Sequence, residues 1–108
     1  MKNAFTLIEI LIVVSIIALI SAIAVPSFIN AQEGANQEMR KVNVSNVNAA
    51  KDQWSILYNK SPGTATTWDD IKGYIGGGIY EQDQLKVGSE YITIGAIGES
   101  ASYPSWPE

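Results

Sequence analysis

From Phe5 to Val25 the chain has only four polar side chains, Thr6, Glu9, Ser15 and Ser21; the other 17 of these 21 residues are apolar. At about 1.5 Å per residue, a helix over Thr6–Val25 would span roughly 30 Å, one bilayer core. The run has no polar face to turn to water, so it does not read as an ordinary amphipathic helix. A buried core helix is disfavoured as well. The 79 residues from Asn30 onward contain 29 hydrophobic ones, too little to enclose a helix that is apolar all round.

Pro26 follows inside the same helical pattern. It lacks the N–H that would bond the Ala22 carbonyl, and it predicts a kink or local melting near Ala22–Pro26. Gly34 weakens the helix again. Periodicity then resumes through Met39, Val42, Val47, Ala50, Trp54, Leu57 and Tyr58. This stripe predicts the face on which a head packs, with Lys41 and Asp52 opposite and Val44 and Ile56 off it. The sequence Asn59-Lys60-Ser61-Pro62-Gly63 predicts the stop, some 80 Å along a continuous helix from Phe5.

Beyond it, Thr67 reads as the N-cap of a short helix at 67–75, with Asp69 and Asp70 in its first turn and Gly76–Gly78 ending it. Residues 85–94 alternate apolar and polar around Gly88-Ser89 and predict a β-hairpin. Tyr103 belongs to a short third strand or to the tail, where Pro104 and Pro107 oppose a long strand. The expected fold class is therefore α+β. A long N-terminal helix, hydrophobic at 5–28 and amphipathic at 29–60, would pack against a small antiparallel β-sheet head at 61–108 with one short loop helix.

Composition narrows the chemistry. The 108 residues carry a net charge of −4 and include neither Cys nor His. Disulfides, Cys/His zinc sites and histidine-based triads are excluded. Residues 61–108 hold two basic and seven acidic side chains, so the head is acidic. Arg40, Lys41 and Lys51 are few and interspersed with acids, which gives no strong nucleic-acid signal. Asp69 and Asp70 are adjacent on a helix and point about 100° apart, so they do not form a catalytic carboxylate pair. The glycines match no phosphate-loop pattern. Trp54, Trp68 and Trp106 read as core or subunit-interface residues. No residue is assigned a catalytic role, and the chain is not read as an enzyme.

The N-terminus admits three readings. A signal peptide would use Lys2 and the Ala22-Ile23-Ala24 cleavage pattern, but the apolar run is long and contains Glu9. A plain single-pass anchor fits the length, with Glu9 again awkward, since an acid in a spanning helix usually marks function. The third reading explains the acid. Ala4-Phe5-Thr6-Leu7-Ile8-Glu9, continued through Ile10–Val14 and Ala22–Pro26, resembles the processing motif of type IV pilins and of the pseudopilins of type II secretion.

That resemblance implies a leader, Met1–Ala4, removed by a prepilin peptidase that cuts between Ala4 and Phe5 and N-methylates Phe5. Ala4 stands where the family usually has Gly. The resemblance also implies that Glu9 sets the assembly register by pairing with the Phe5 amine of a neighbouring subunit; the alternative is that Glu9 snorkels to the membrane interface. Pro26 would let the stalk bend on packing, or would simply break the helix at membrane exit. The head resembles, more weakly, the small heads of G-type pseudopilins, where calcium is often bound. Glu81, Asp83, Glu90 and Glu99 are the corresponding calcium candidates, against a solvated acidic face as the alternative.

The expected function is a structural subunit of a type IV pilus-like or type II secretion pseudopilus filament. Its expected partners are the prepilin peptidase/methyltransferase, the assembly machinery, the inner membrane and other copies of itself. The chain would cross the bacterial inner membrane once with its head outside the cytoplasm, then join the pilus or periplasmic pseudopilus. The alternative is a small extracytoplasmic binding module, anchored or released by signal peptidase, that forms no filament.

Overall fold

The computed structural model describes residues 4–107. Positions 1–3, most of the expected leader and the basic Lys2 with them, and position 108 lie outside the described residues. The chain divides into two compact units, Met1–Gly34 and Ala35–Glu108. One helix, α1, is assigned over Leu7–Leu57.

In the first unit the side chains of α1 are exposed, as befits a segment with no partner in a single chain. Its polar residues are handled locally. The Ser15 hydroxyl donates to the Leu11 carbonyl at 2.7 Å and the Ser27 hydroxyl to the Ile23 carbonyl at 3.3 Å, so neither presents a bare hydroxyl to an apolar surrounding. Pro26 sits inside α1, which is helical on both sides of it.

The second unit is the head. α1 ends at Leu57 by a Schellman-type closure: Asn59 adopts the left-handed region at φ 53°, and the Lys60 N–H reaches the Ser55 carbonyl at 2.8 Å. Asn tolerates that conformation better than most residues, which explains the stop. A short helix, α2 (Trp68–Ile71), runs directly into a 3₁₀ turn at Lys72–Tyr74, and a second 3₁₀ turn spans Gln82–Leu85. Asp70 closes the start of α2 by accepting the Thr67 N–H at 2.9 Å and the Thr67 hydroxyl at 3.0 Å. Asp69 instead pairs with Lys72 at 3.4 Å, so the two acids serve different local partners.

The expected antiparallel sheet is not there. Among the described residues there is no β-strand, only isolated bridges at Val87–Glu90, Thr93–Ser102 and Tyr103–Trp106. The α+β class and the hairpin at 85–94 are therefore corrected: the head is coil and short helical turns folded onto α1. Hydrogen-bond accounting gives the reason. The Gly88-Ser89 turn does close, with Val87 and Glu90 exchanging N–H···O bonds of 3.1 and 3.0 Å. The ladder stops there because side chains take the next carbonyls. Asn43 and the Tyr103 hydroxyl donate to Leu85, Gln82 donates to Ile92, and Lys51 donates to Ile94. A backbone group satisfied by a side chain needs no neighbouring strand.

The inside–outside alternation survives without the ladder. Leu85, Val87, Ile92 and Ile94 are buried, while Lys86, Tyr91 and Thr93 are exposed. They pack with Val44, Val47, Ala50 and Trp54 of α1 and with Ile71, Ile75, Ile97, Ala101 and Tyr103. Each fully buried aliphatic side chain contributes about 1.5–3 kcal/mol relative to exposure. Trp68 and Trp106 lie partly buried against this cluster.

The face of α1 that does this packing is not the expected one. Val47, Ala50 and Trp54 are buried, but so are Arg40, Val44 and Lys51. Met39, Val42, Leu57 and Tyr58, expected to face inward, are all at least half exposed. The inward face is rotated around the helix toward two charged residues, each of which has a partner in the head.

Candidate functional site

The N-terminal site is built by a helix cap. The Thr6 carbonyl accepts the Ile10 N–H at 3.2 Å, and the Thr6 hydroxyl oxygen accepts the Glu9 N–H at 3.2 Å. Thr6 is thus the N-cap of α1, and Glu9 is the third residue of the helix. Thr-x-x-Glu is the residue pattern of a capping box, a local signal that hydropathy conceals. Ala4 and Phe5 precede the cap, exposed and outside the helix. The Ala4–Phe5 bond thus lies outside the helix, in chain without regular secondary structure.

Glu9 is the only Asp, Glu, Lys or Arg between Ala4 and Gln32. It lines a groove of about 490 Å³ together with Phe5, Ile10, Ile12, Val13 and Val14. The structure therefore brings Phe5 and Glu9, two of the residues singled out from the sequence, to one surface. Pro26 is four to five helical turns further on, at the end of the apolar stretch. A carboxylate in the first turn interacts favourably with the positive end of the helix dipole. Cleavage before Phe5 would place a new ammonium at that same positive end, where it is unfavourable unless an anion stands close by. Glu9 is the anion that the local sequence supplies.

The four calcium candidates are not brought together. Among the described residues no three acidic side chains converge on a point where a metal could be held. Glu81, just before the second 3₁₀ turn, and Asp83, within it, are exposed. A Glu99 carboxylate oxygen accepts the Ala96 N–H at 3.3 Å.

Glu90 is committed to a staple that periodicity does not reveal. One of its oxygens lies 3.1 Å from Arg40 Nε, and its carboxylate also accepts the Ser105 hydroxyl and, at 3.4 Å, the Ser105 N–H. The Ser105 hydroxyl, more than any other group, holds the Glu90 carboxyl below its ordinary pKa; partial burial opposes this, while the Ser105 N–H and Arg40 reinforce it. The consequence for stability has a definite sign. A carboxyl with a lowered folded-state pKa stabilises the fold above its unfolded value, about 4.5, and loses that contribution as pH falls through the folded value. Acid titration of the detergent-solubilised chain, followed by tryptophan emission, should show this loss below about pH 4.5. Glu90→Gln should make the acid dependence shallower while lowering stability at neutral pH. An unchanged acid limb in Glu90→Gln would count against the staple.

The prokaryotic N-terminal methylation motif matches residues 1–25, the same quarter of the chain that carries the resemblance to pilins. The match supports the type IV pilin and pseudopilin family, and the small size and long N-terminal helix fit it. It also supports a pilin-like chain that is anchored in the membrane, processed by a prepilin peptidase and handled by pilus-type assembly; that motif family is structural rather than enzymatic. The first helix is long and apolar enough to cross a membrane. No curated protein and no solved structure matches the chain.

Proposed function

We propose that the chain is a filament subunit of the type IV pilus or type II secretion pseudopilus kind. It is held in the inner membrane by residues 5–28 with its acidic head outside the cytoplasm. The prepilin peptidase cuts it between Ala4 and Phe5 and methylates it at Phe5. The apolar part of α1 then leaves the lipid for a filament core made of the same segments from other copies. There Glu9 pairs with the Phe5 amine of a neighbour, and the repeating, non-closing contact generates a helix of subunits. The single observation that carries this reading is the exposed Ala4–Phe5 bond lying just outside the helix cap, with one acid three residues beyond that cap, inside the matched motif.

Its test is co-expression with a prepilin peptidase, followed by intact mass and N-terminal sequence of the membrane-extracted product. The expected product begins at N-methylated Phe5, and the Ala4→Gly variant should be processed at least as fast. A product beginning at Val25 would replace this reading with a secreted head released by signal peptidase. An intact Met1 terminus in both the parent and Ala4→Gly would leave a membrane-anchored protein outside this processing class.

A further inference from the structure

Lys51 lies on the buried face of α1 with only 2% of its surface exposed, and the filament reading gives it no role. Its ammonium has three N–H donors and no acceptor. All three are met by backbone carbonyls of one short loop: Ile94 at 2.7 Å, Ala96 at 3.3 Å and Glu99 at 2.5 Å. Carbonyls of neighbouring residues do not ordinarily converge on one point. They do so here because Gly95 and Gly98 adopt φ values of +76° and +88°, turning the chain in a way that L side chains resist. Gly95 also lies against the ammonium: a Cβ there would be in ordinary contact with the Lys51 nitrogen, at 3.6 Å.

The surroundings act on this charge in both directions. Burial pushes the Lys51 ammonium below the ordinary lysine range, and the negative charges of Asp52 and Glu99 oppose that. A groove of about 270 Å³ is lined by Asn48, Lys51, Asp52, Gly98, Glu99 and Ser100. The loop is tied to the rest of the head by few backbone bonds: Ile97 N–H to the Thr64 carbonyl at 3.0 Å and Gly63 N–H to the Ile97 carbonyl at 2.7 Å.

We propose that the Ile94–Glu99 loop is a binding site for a primary ammonium cation, with Lys51 as its tethered occupant. The loop folds around this internal cation, and three N–H donors on one nitrogen are what it recognises. A bare ion lacks those donors, and a quaternary ammonium has none to offer. Lys51→Ala leaves the carbonyl cage with a channel whose missing atoms are those of n-propylammonium, so this free cation should occupy it. The inference rests on the head alone and does not depend on the filament reading.

The experiment uses the full chain in detergent micelles, with two readouts: the thermal midpoint from tryptophan emission, and backbone amide exchange of residues 94–101 by mass spectrometry. Lys51→Ala should lower the midpoint by about 10 °C or more and remove the protection of the loop amides. n-Propylammonium chloride should restore both in part. Potassium chloride and tetramethylammonium chloride at equal ionic strength should not. Equal effects of all three salts would overturn the proposal, and so would restoration by potassium alone. Lys51→Met covers the case in which Lys51→Ala fails to fold, since it keeps the stem and removes the donors. It should keep the core emission and lose the loop protection; wild-type loop protection in Lys51→Met would overturn the proposal.

Discussion

Val44→Asp is expected to unfold the head, while Val42→Asp, two residues away on the same helix, is expected to leave its melting midpoint within a few degrees of the parent. Val44 is 3% exposed and Val42 is 52% exposed. Two helical residues are about 200° of rotation, so the substitutions place the same carboxylate on opposite faces of α1. At Val44 the acid would enter the apolar cluster, one turn from an Arg40 already engaged by Glu90, at a cost of several kcal/mol. Heads of this size are stable by about 5–10 kcal/mol at most, so a loss of that order suffices. At Val42 the carboxylate stays in water.

The three tryptophans, Trp54, Trp68 and Trp106, all lie in the head unit, so their emission reports this unit and not the membrane segment. A red-shifted, non-cooperative Val44→Asp together with a parent-like Val42→Asp is the expected pair. The reverse pair would mean that the head packs on the face marked by Met39 and Val42.

That contrast also locates what the sequence could and could not reveal. The spacing of Val47, Ala50 and Trp54 was legible because three apolar residues at helical steps define a face by themselves. Its phase was not legible, because the neighbouring inward positions are Arg40 and Lys51. Burying a charge is acceptable only where partners meet it. Here those partners are Glu90 and the carbonyls of the 94–99 loop, 40 to 50 residues downstream, beyond the reach of a local pattern. Met39 and Val42 misled for the complementary reason that an exposed apolar residue is commonplace.

The head shows the same division. The alternation of Leu85, Val87, Ile92 and Ile94 correctly separates inside from outside, because it depends only on extended backbone lying against a core. A ladder needs free carbonyls on both strands, and Asn43, Gln82, Lys51 and Tyr103 had taken them. The N-terminal site, by contrast, is local from end to end. The exposed bond, the cap and the acid fall within six consecutive residues, Ala4 to Glu9, so the resemblance carried by those residues pointed to the stretch matched by the methylation motif.

Glu9→Ala is expected to be cleaved and methylated like the parent and yet to yield at least about tenfold fewer filaments, the factor that follows from losing as little as 1.4 kcal/mol per subunit contact. Cleavage should survive because the bond proposed to break, Ala4–Phe5, lies on the far side of the Thr6 cap. The Glu9 contribution to that cap in the structure is its backbone N–H, which alanine retains. Assembly should fail because the Phe5 ammonium would enter an apolar core beside the positive end of α1 with no carboxylate to meet it. Glu9→Gln separates charge from shape. It keeps the side-chain length and hydrogen-bonding capacity but not the anion, so it should assemble as poorly as Glu9→Ala. Glu9→Asp retains the charge on a shorter arm and should recover part of the yield. The measurement is the ratio of sheared filament to membrane-extracted, mass-verified processed subunit for each variant. This ratio separates an assembly defect from a processing defect. Parent-like assembly by Glu9→Gln would remove the acid–amine pair from the mechanism and leave apolar packing of α1 as the sole source of register.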